Sequence, residues 1–160
     1  MSQYRVLVAR LQNELARLDQ VVESAESQAS KAKRTQDEDF LKAAALSLQN
    51  YYMGVERIFE EIAKQVDQSI PAGASSHQQL LEQMRLEIPA TRPAVLSADT
   101  GPQIDTLRAF RHVVMHRYGF ELHPQRVSEL VEQLADCHQL LSRDVQSFCQ
   151  FLWQIERSLG

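Results

Sequence analysis

The first 70 residues contain no proline and one glycine, Gly54, and nothing after Pro124 breaks a helix before the terminal Gly160. Of the five glycines and five prolines in the chain, eight lie between Pro71 and Pro124. A sandwich, a barrel or a repeated βαβ unit needs turn residues about every dozen positions. That spacing excludes all three and leaves two long helical arms around a broken middle. At 160 residues one domain, spanning 1–160, is the expectation, and it is large enough to bury its own core.

The apolar pattern agrees. Tyr4, Leu7, Leu11, Leu15, Leu18, Val22, Ala25 and Ala29 recur at gaps of three and four, one stripe of an amphipathic helix. A polar connector is expected at Lys31 to Arg34, and Thr35 and Glu38 have the spacing of a capping box for the next helix. That second helix carries Leu41, Ala45, Leu48, Tyr52, Val55, Phe59, Ile62 and Val66, and should end near Ser69 ahead of Pro71. Of the pair Tyr51-Tyr52, one residue should be buried and one should sit at the border. Ser76 to Met84 reads as a short third helix. Arg85 to Gly101 reads as a connection packed down by Ile88, Val95 and Leu96. A fourth helix opens near Pro102 and stops around Tyr118-Gly119, and Pro124 opens the last. Its stripe runs from Val127 to Ile155 and includes His138, expected to be a hydrogen-bonded core or interface histidine. Phe148 and Trp153 suit either the core or a dimer face. The fold class is all-α, a bundle of four long helices plus a short one, with no sheet.

Charge narrows the function. The formal net charge is −4, from 17 Lys and Arg against 21 Asp and Glu. Phosphate binding is driven by basic side chains displacing counterions, so any nucleic-acid contact must be local and sensitive to salt. The start, Met-Ser-Gln-Tyr-Arg, lacks the charged start plus apolar run of a signal peptide, so none is expected. No apolar run approaches the roughly 18 residues of a membrane span. Cys137 and Cys149 lie twelve residues apart in one predicted helix, roughly 18 Å at its rise per residue, too far for a disulfide. A cytoplasmic protein with reduced thiols is expected.

One segment is basic. Between Asp105 and Glu121 there is no acidic residue, while Arg108, Arg111, His112, His116 and Arg117 all fall there. On a helical wheel Asp105, Arg108, His112 and His116 share one face, and Leu107, Phe110, Val113 and Val114 share the opposite one. A solvated polar face is the ordinary reading of such a pattern. His112 and His116 also have the spacing of a helical zinc pair, to which His123 and Asp105 would add. Val113 stands where a zincin helix has its glutamate, so no metal is expected.

Arg111-His-Val-Val-Met-His116-Arg-Tyr118 has the pattern R-x-x-x-x-H-x-Y. It resembles the HepT-like toxins of the HEPN superfamily, as do the wider stretch Leu107 to Phe120, the upstream segment Leu48 to Glu60 and Pro71-Ala-Gly. The resemblance implies a metal-independent ribonuclease without cofactor that works as a homodimer. Arg111 and His116 would be catalytic, with Arg108, His112 and Arg117 as RNA contacts. It also implies neutralisation by a minimal nucleotidyltransferase antitoxin that transfers AMP to Tyr118. The residue types suit the chemistry. RNA supplies its own nucleophile, the ribose 2′-hydroxyl; a histidine transfers protons near neutrality, and an arginine holds the phosphate as charge builds up. One motif histidine per chain leaves the acid–base pair incomplete, so a composite site across a two-fold axis is expected. Family members often have Asn or Asp after the motif arginine, and here that residue is His112. Glu56 and Arg57 are either partners of the basic helix or an ordinary salt-bridging pair. The competing reading is a non-catalytic helical subunit that pairs with a nucleotidyltransferase, since one fold serves both purposes.

Overall fold

In the computed structural model, the backbone is described for residues 3–117 and 122–159, and side chains for 4–111 and 122–159. The elements are α1 (Gln3–Thr35), α2 (Glu38–Ile62), a π-helical turn (Ala63–Asp67), α3 (Ser76–Arg85), α4 (Thr100–Arg117) and α5 (Pro124–Leu159). Among the described residues there is no strand, only an isolated bridge between Ile88 and Arg92. The all-α architecture is the one predicted.

The stripe of α1 is buried from Leu7 to Ala25. It packs against α2 in antiparallel fashion, with Arg57 on Glu14 at 2.9 Å and Ser47 on Gln28 at 2.6 Å. Gly54 is where this pair comes closest. A Cβ there would lie 2.5 Å from Leu18 Cδ2, which accounts for the lone glycine in the proline-free arm. The α5 helix also packs on α1, again antiparallel. Tyr4 N donates to Glu156 at 3.0 Å, and Asp19 meets His138 at 2.5 Å.

Central position makes α2 the best buried helix. Besides the expected stripe it buries Ala44, Tyr51 and Ile58, because α1, α4 and α5 enclose it on several sides. Tyr51 and Tyr52 are therefore both buried, at 0% and 1% exposure, and neither is a border residue. Tyr51 Oη pairs with His138 Nδ1 at 2.9 Å, so His138 is the hydrogen-bonded core histidine its position implied.

Two local expectations are corrected. The α1 helix continues through Lys31 to Arg34, without a connector, and turns only at Gln36 with φ of 59°. The cap of α2 is Asp37, whose carboxylate accepts from Asp39 N at 2.9 Å. Thr35 Oγ1 instead donates to Lys31 O at 2.7 Å, closing the end of α1. An aspartate one residue before the helix offers a stronger acceptor than a threonine still inside the preceding one.

The segment between α3 and α4 is held by Arg92, whose side chain is fully buried. All five of its N–H groups are used: two on Asp67 at 2.6 and 2.8 Å, and the rest on the carbonyls of Gln83, Leu86 and Pro93. Val95 and Leu96 are buried as expected, while Ile88 is half-buried. Trp153 is half-buried too, with Arg5 at 6.0 Å from its ring.

Candidate functional site

The basic helix α4 starts at a polar anchor on α5. Buried Asp144 accepts from Ser97 N at 2.9 Å, Ser97 Oγ at 3.1 Å and Thr100 Oγ1 at 2.6 Å. These bonds tie the turn before α4 and its first residue, Thr100, to α5 and fix where α4 begins, two residues before Pro102. Ile104, Leu107 and Phe110 then bury themselves, as the wheel requires.

With that face turned inward, the arginines fall beside α2. Arg108 Nε sits on Asp105 at 2.8 Å, the i, i+3 pair expected of the polar face. The Nε of Arg111 is buried and has no hydrogen-bond partner among the described residues. Across from it on α2, the Tyr52 hydroxyl is likewise buried without a bond of normal geometry. Burial first, and the neighbouring Glu56 carboxylate second, push the Tyr52 hydroxyl far above its ordinary pKa, while Arg108 and Arg111 pull the other way. Tyr52 is therefore a neutral group held between a carboxylate and two guanidiniums. Buried polar groups are ordinarily satisfied, and an Arg111 Nε without an acceptor among the described residues marks this junction as unusual.

Glu56 is buried, and its Oε2 pairs with Nδ1 of His77 in the first turn of α3. The His77 side chain is 45% exposed. Glu56 is thus a partner of the basic cluster, whereas its neighbour Arg57 belongs to α1 through Glu14. Sequence reasoning missed His77: a single histidine opening a short helix carries no pattern, and only its carboxylate partner 21 residues away singles it out.

His112, His116 and Arg117 lie on α4, but their side chains fall outside the described residues, and Tyr118 lies outside them altogether. Of the motif, Arg111 is the member whose surroundings are on view. A groove of about 570 Å³ lies elsewhere, between α1 and α2. Its charges are internally matched, with Arg17 and Arg57 both on Glu14. No cluster of three or more potential metal ligands occurs among the described residues, and no helix there is long and apolar enough to cross a membrane.

No curated protein and no solved structure matches the chain significantly. A family model described as HepT-like protein matches residues 43–152, which takes in most of α2, all of α3 and α4, and most of α5. The match covers well over half of the sequence and includes Tyr52, Arg111 and the whole R-x-x-x-x-H-x-Y motif. The chain belongs to the HepT-like family, with the HEPN-type all-α fold.

Proposed function

We propose that this chain is the ribonuclease toxin of a cytoplasmic toxin–antitoxin pair, cutting RNA without a metal and acting as a homodimer. The observation that carries the reading is the motif Arg111-x-x-x-x-His116-x-Tyr118 in a HepT-like chain, with a buried Arg111 Nε that meets no acceptor among the described residues. A fixed cation suits a phosphate that gains charge in the transition state. His116 transfers a proton, and Arg108, His112 and Arg117 hold the RNA backbone. The antitoxin is a nucleotidyltransferase that attaches AMP to Tyr118. The added phosphate and base occupy the place of RNA and pair with the basic side chains of α4.

Incubating RNA with wild type, Arg111→Ala and His116→Ala in the presence of EDTA tests the assignment. Cleavage by wild type and none by the variants is expected; equal products from all three would sink it. Tyr118→Phe should retain cleavage and escape the antitoxin. Loss of cleavage in that variant would make Tyr118 part of the catalytic machinery. Sedimentation of the active species checks the dimer, and a fully active monomer would refute it.

A further inference from the structure

The groove of about 570 Å³ between α1 and α2 falls within the range of ligand pockets, about 300–1,000 Å³. Its two ends differ in chemistry. Glu14, Arg17 and Arg57 stand at one end, and Gln28, Ser47 and Asn50 at the other. Leu18, Val21 and Met53 form the apolar stretch between them. Arg57 and Ser47 lie ten residues apart on α2, about 15 Å along its axis.

Gly54 sets up the charged end. The Glu14 carboxylate lies over this glycine, its Oε1 3.0 Å from where a Cβ would be. Arg57 places Nε at 3.0 Å and Nη2 at 2.9 Å on that oxygen, and Arg17 Nη1 lies 3.6 Å from Oε2. Two guanidiniums thus share one carboxylate, and one positive charge is left in excess. Their side chains are 47% and 65% exposed, for Arg57 and Arg17. Arg57 Nη1 meets no acceptor among the described residues. A planar fork held along one edge, with its remaining donors free, suits a phosphate.

The uncharged part is equally open to a ligand. Gln28 is tied to Ser47 at 2.6 Å and bridges the two helices. The carboxamides of Gln20 and Asn50, by contrast, have no hydrogen-bond partner among the described residues. A carboxamide presents a donor and an acceptor side by side, which matches the edge of a nucleobase. Val21 and the Met53 thioether offer an apolar, polarisable surface to the face of such a ring.

We infer that this groove is a second binding site, for a nucleotide. Its phosphate sits on Arg17 and Arg57, its base lies over Val21 and Met53, and the base edge meets Gln20 and Asn50. The site is separate from the basic helix: Arg57 turns to α1, whereas Glu56, one residue before it, turns to α3. It does not depend on the ribonuclease reading. A free nucleoside monophosphate and a nucleotide within a strand share this chemistry.

The experiment titrates the whole chain, labelled with nitrogen-15, and follows the side-chain amide signals of Gln20 and Asn50. The probes are 5′-AMP, 5′-CMP, adenosine, inorganic phosphate and a short oligonucleotide without terminal phosphates. Saturable shifts with a Kd below about 1 mM are expected for the nucleotides. Arg17→Ala and Arg57→Gln should each weaken binding about 10-fold or more while thermal unfolding shows them folded. Asn50→Ala should weaken the nucleotide and leave inorganic phosphate as it was. Binding of the monophosphates alone identifies the free nucleotide as the ligand; tighter binding of the oligonucleotide identifies the strand. Phosphate or adenosine binding as tightly as 5′-AMP would overturn the assignment. So would an affinity unchanged in both arginine variants, or one lost in Arg111→Ala, which puts the ligand on the basic helix. Absence of saturable shifts with every nucleotide and with the oligonucleotide also removes the site. None of these results touches RNA cleavage by wild type, on which the ribonuclease reading stands or falls.

Discussion

Arg92 offers the sharpest test of how the middle of the chain is held. Its guanidinium spends two N–H groups on Asp67 and three on backbone carbonyls, with side-chain exposures of 0% for Arg92 and 2% for Asp67. Arg92→Lys keeps the charge but offers three donors from a single point, so at least two of the five acceptors lose their partner. With charge-assisted bonds worth about 1.5–3 kcal/mol each, the cost is expected at about 2–4 kcal/mol after partial relaxation. Arg92→Met removes the charge and leaves Asp67 buried and uncompensated, a change of about 3–5 kcal/mol. A domain of this size has about 5–15 kcal/mol in total, so the methionine variant sits near the edge of folding. Urea unfolding followed by circular dichroism measures this. At a slope of about 2 kcal/mol per molar, the midpoint should fall by about 1–2 M for Lys and about 1.5–2.5 M for Met. Adding Asp67→Asn to Arg92→Met should recover part of the loss, since the stranded charge goes. A lysine variant within about 0.5 kcal/mol of wild type would refute the five-donor account. So would a methionine variant as stable as wild type.

Three further outcomes follow from packing. Gly54→Ala gains helix propensity but drives a methyl into Leu18, itself buried, so a net loss of about 1–2 kcal/mol is expected in the same urea assay; a stabilised variant would show that α1 and α2 can move apart. Asp144→Ala strips the start of α4 of its acceptor and should cost about 2–3 kcal/mol, with hydrogen exchange rising first at residues 97–104; uniform exchange would disprove a local anchor. Burial pushes the Cys137 thiol up to about 12 and that of Cys149 to about 11, from 9.0. Both should resist a thiol reagent at pH 8 until denaturant is added. Their contribution to stability is complete below pH 9 and declines as pH rises toward those values, because the unfolded thiols ionise first. Rapid labelling of the native chain would contradict this.

The helices were legible because each carries its own record of burial. The stripes on α1 and α5 repeat over many turns, and proline or glycine marks where the middle breaks. Local chemistry was less legible at the first turn of α2. Thr35-x-x-Glu38 and Asp37 are both acceptable caps, and only the run of α1 to Thr35 decides between them. The two tyrosines were misjudged for a related reason. A single stripe describes a helix with one neighbour, whereas α2 has several, and no count along one helix reveals how many others surround it.

The candidate site divides in the same way. The sequence by itself determined the all-helical class, the place of the basic helix and the motif from Arg111 to Tyr118, because those depend on residue types at short separations. Only the tertiary structure decided that Glu56 turns to His77 while Arg57 turns away to α1, and that the charges of Arg108 and Arg111 act on the buried Tyr52 hydroxyl. Those pairings join residues 21 to about 60 positions apart, and their energy exists only once α2, α3 and α4 have excluded water between them. Periodicity reports which face of a helix is buried; which side chain waits on the facing helix is fixed by packing.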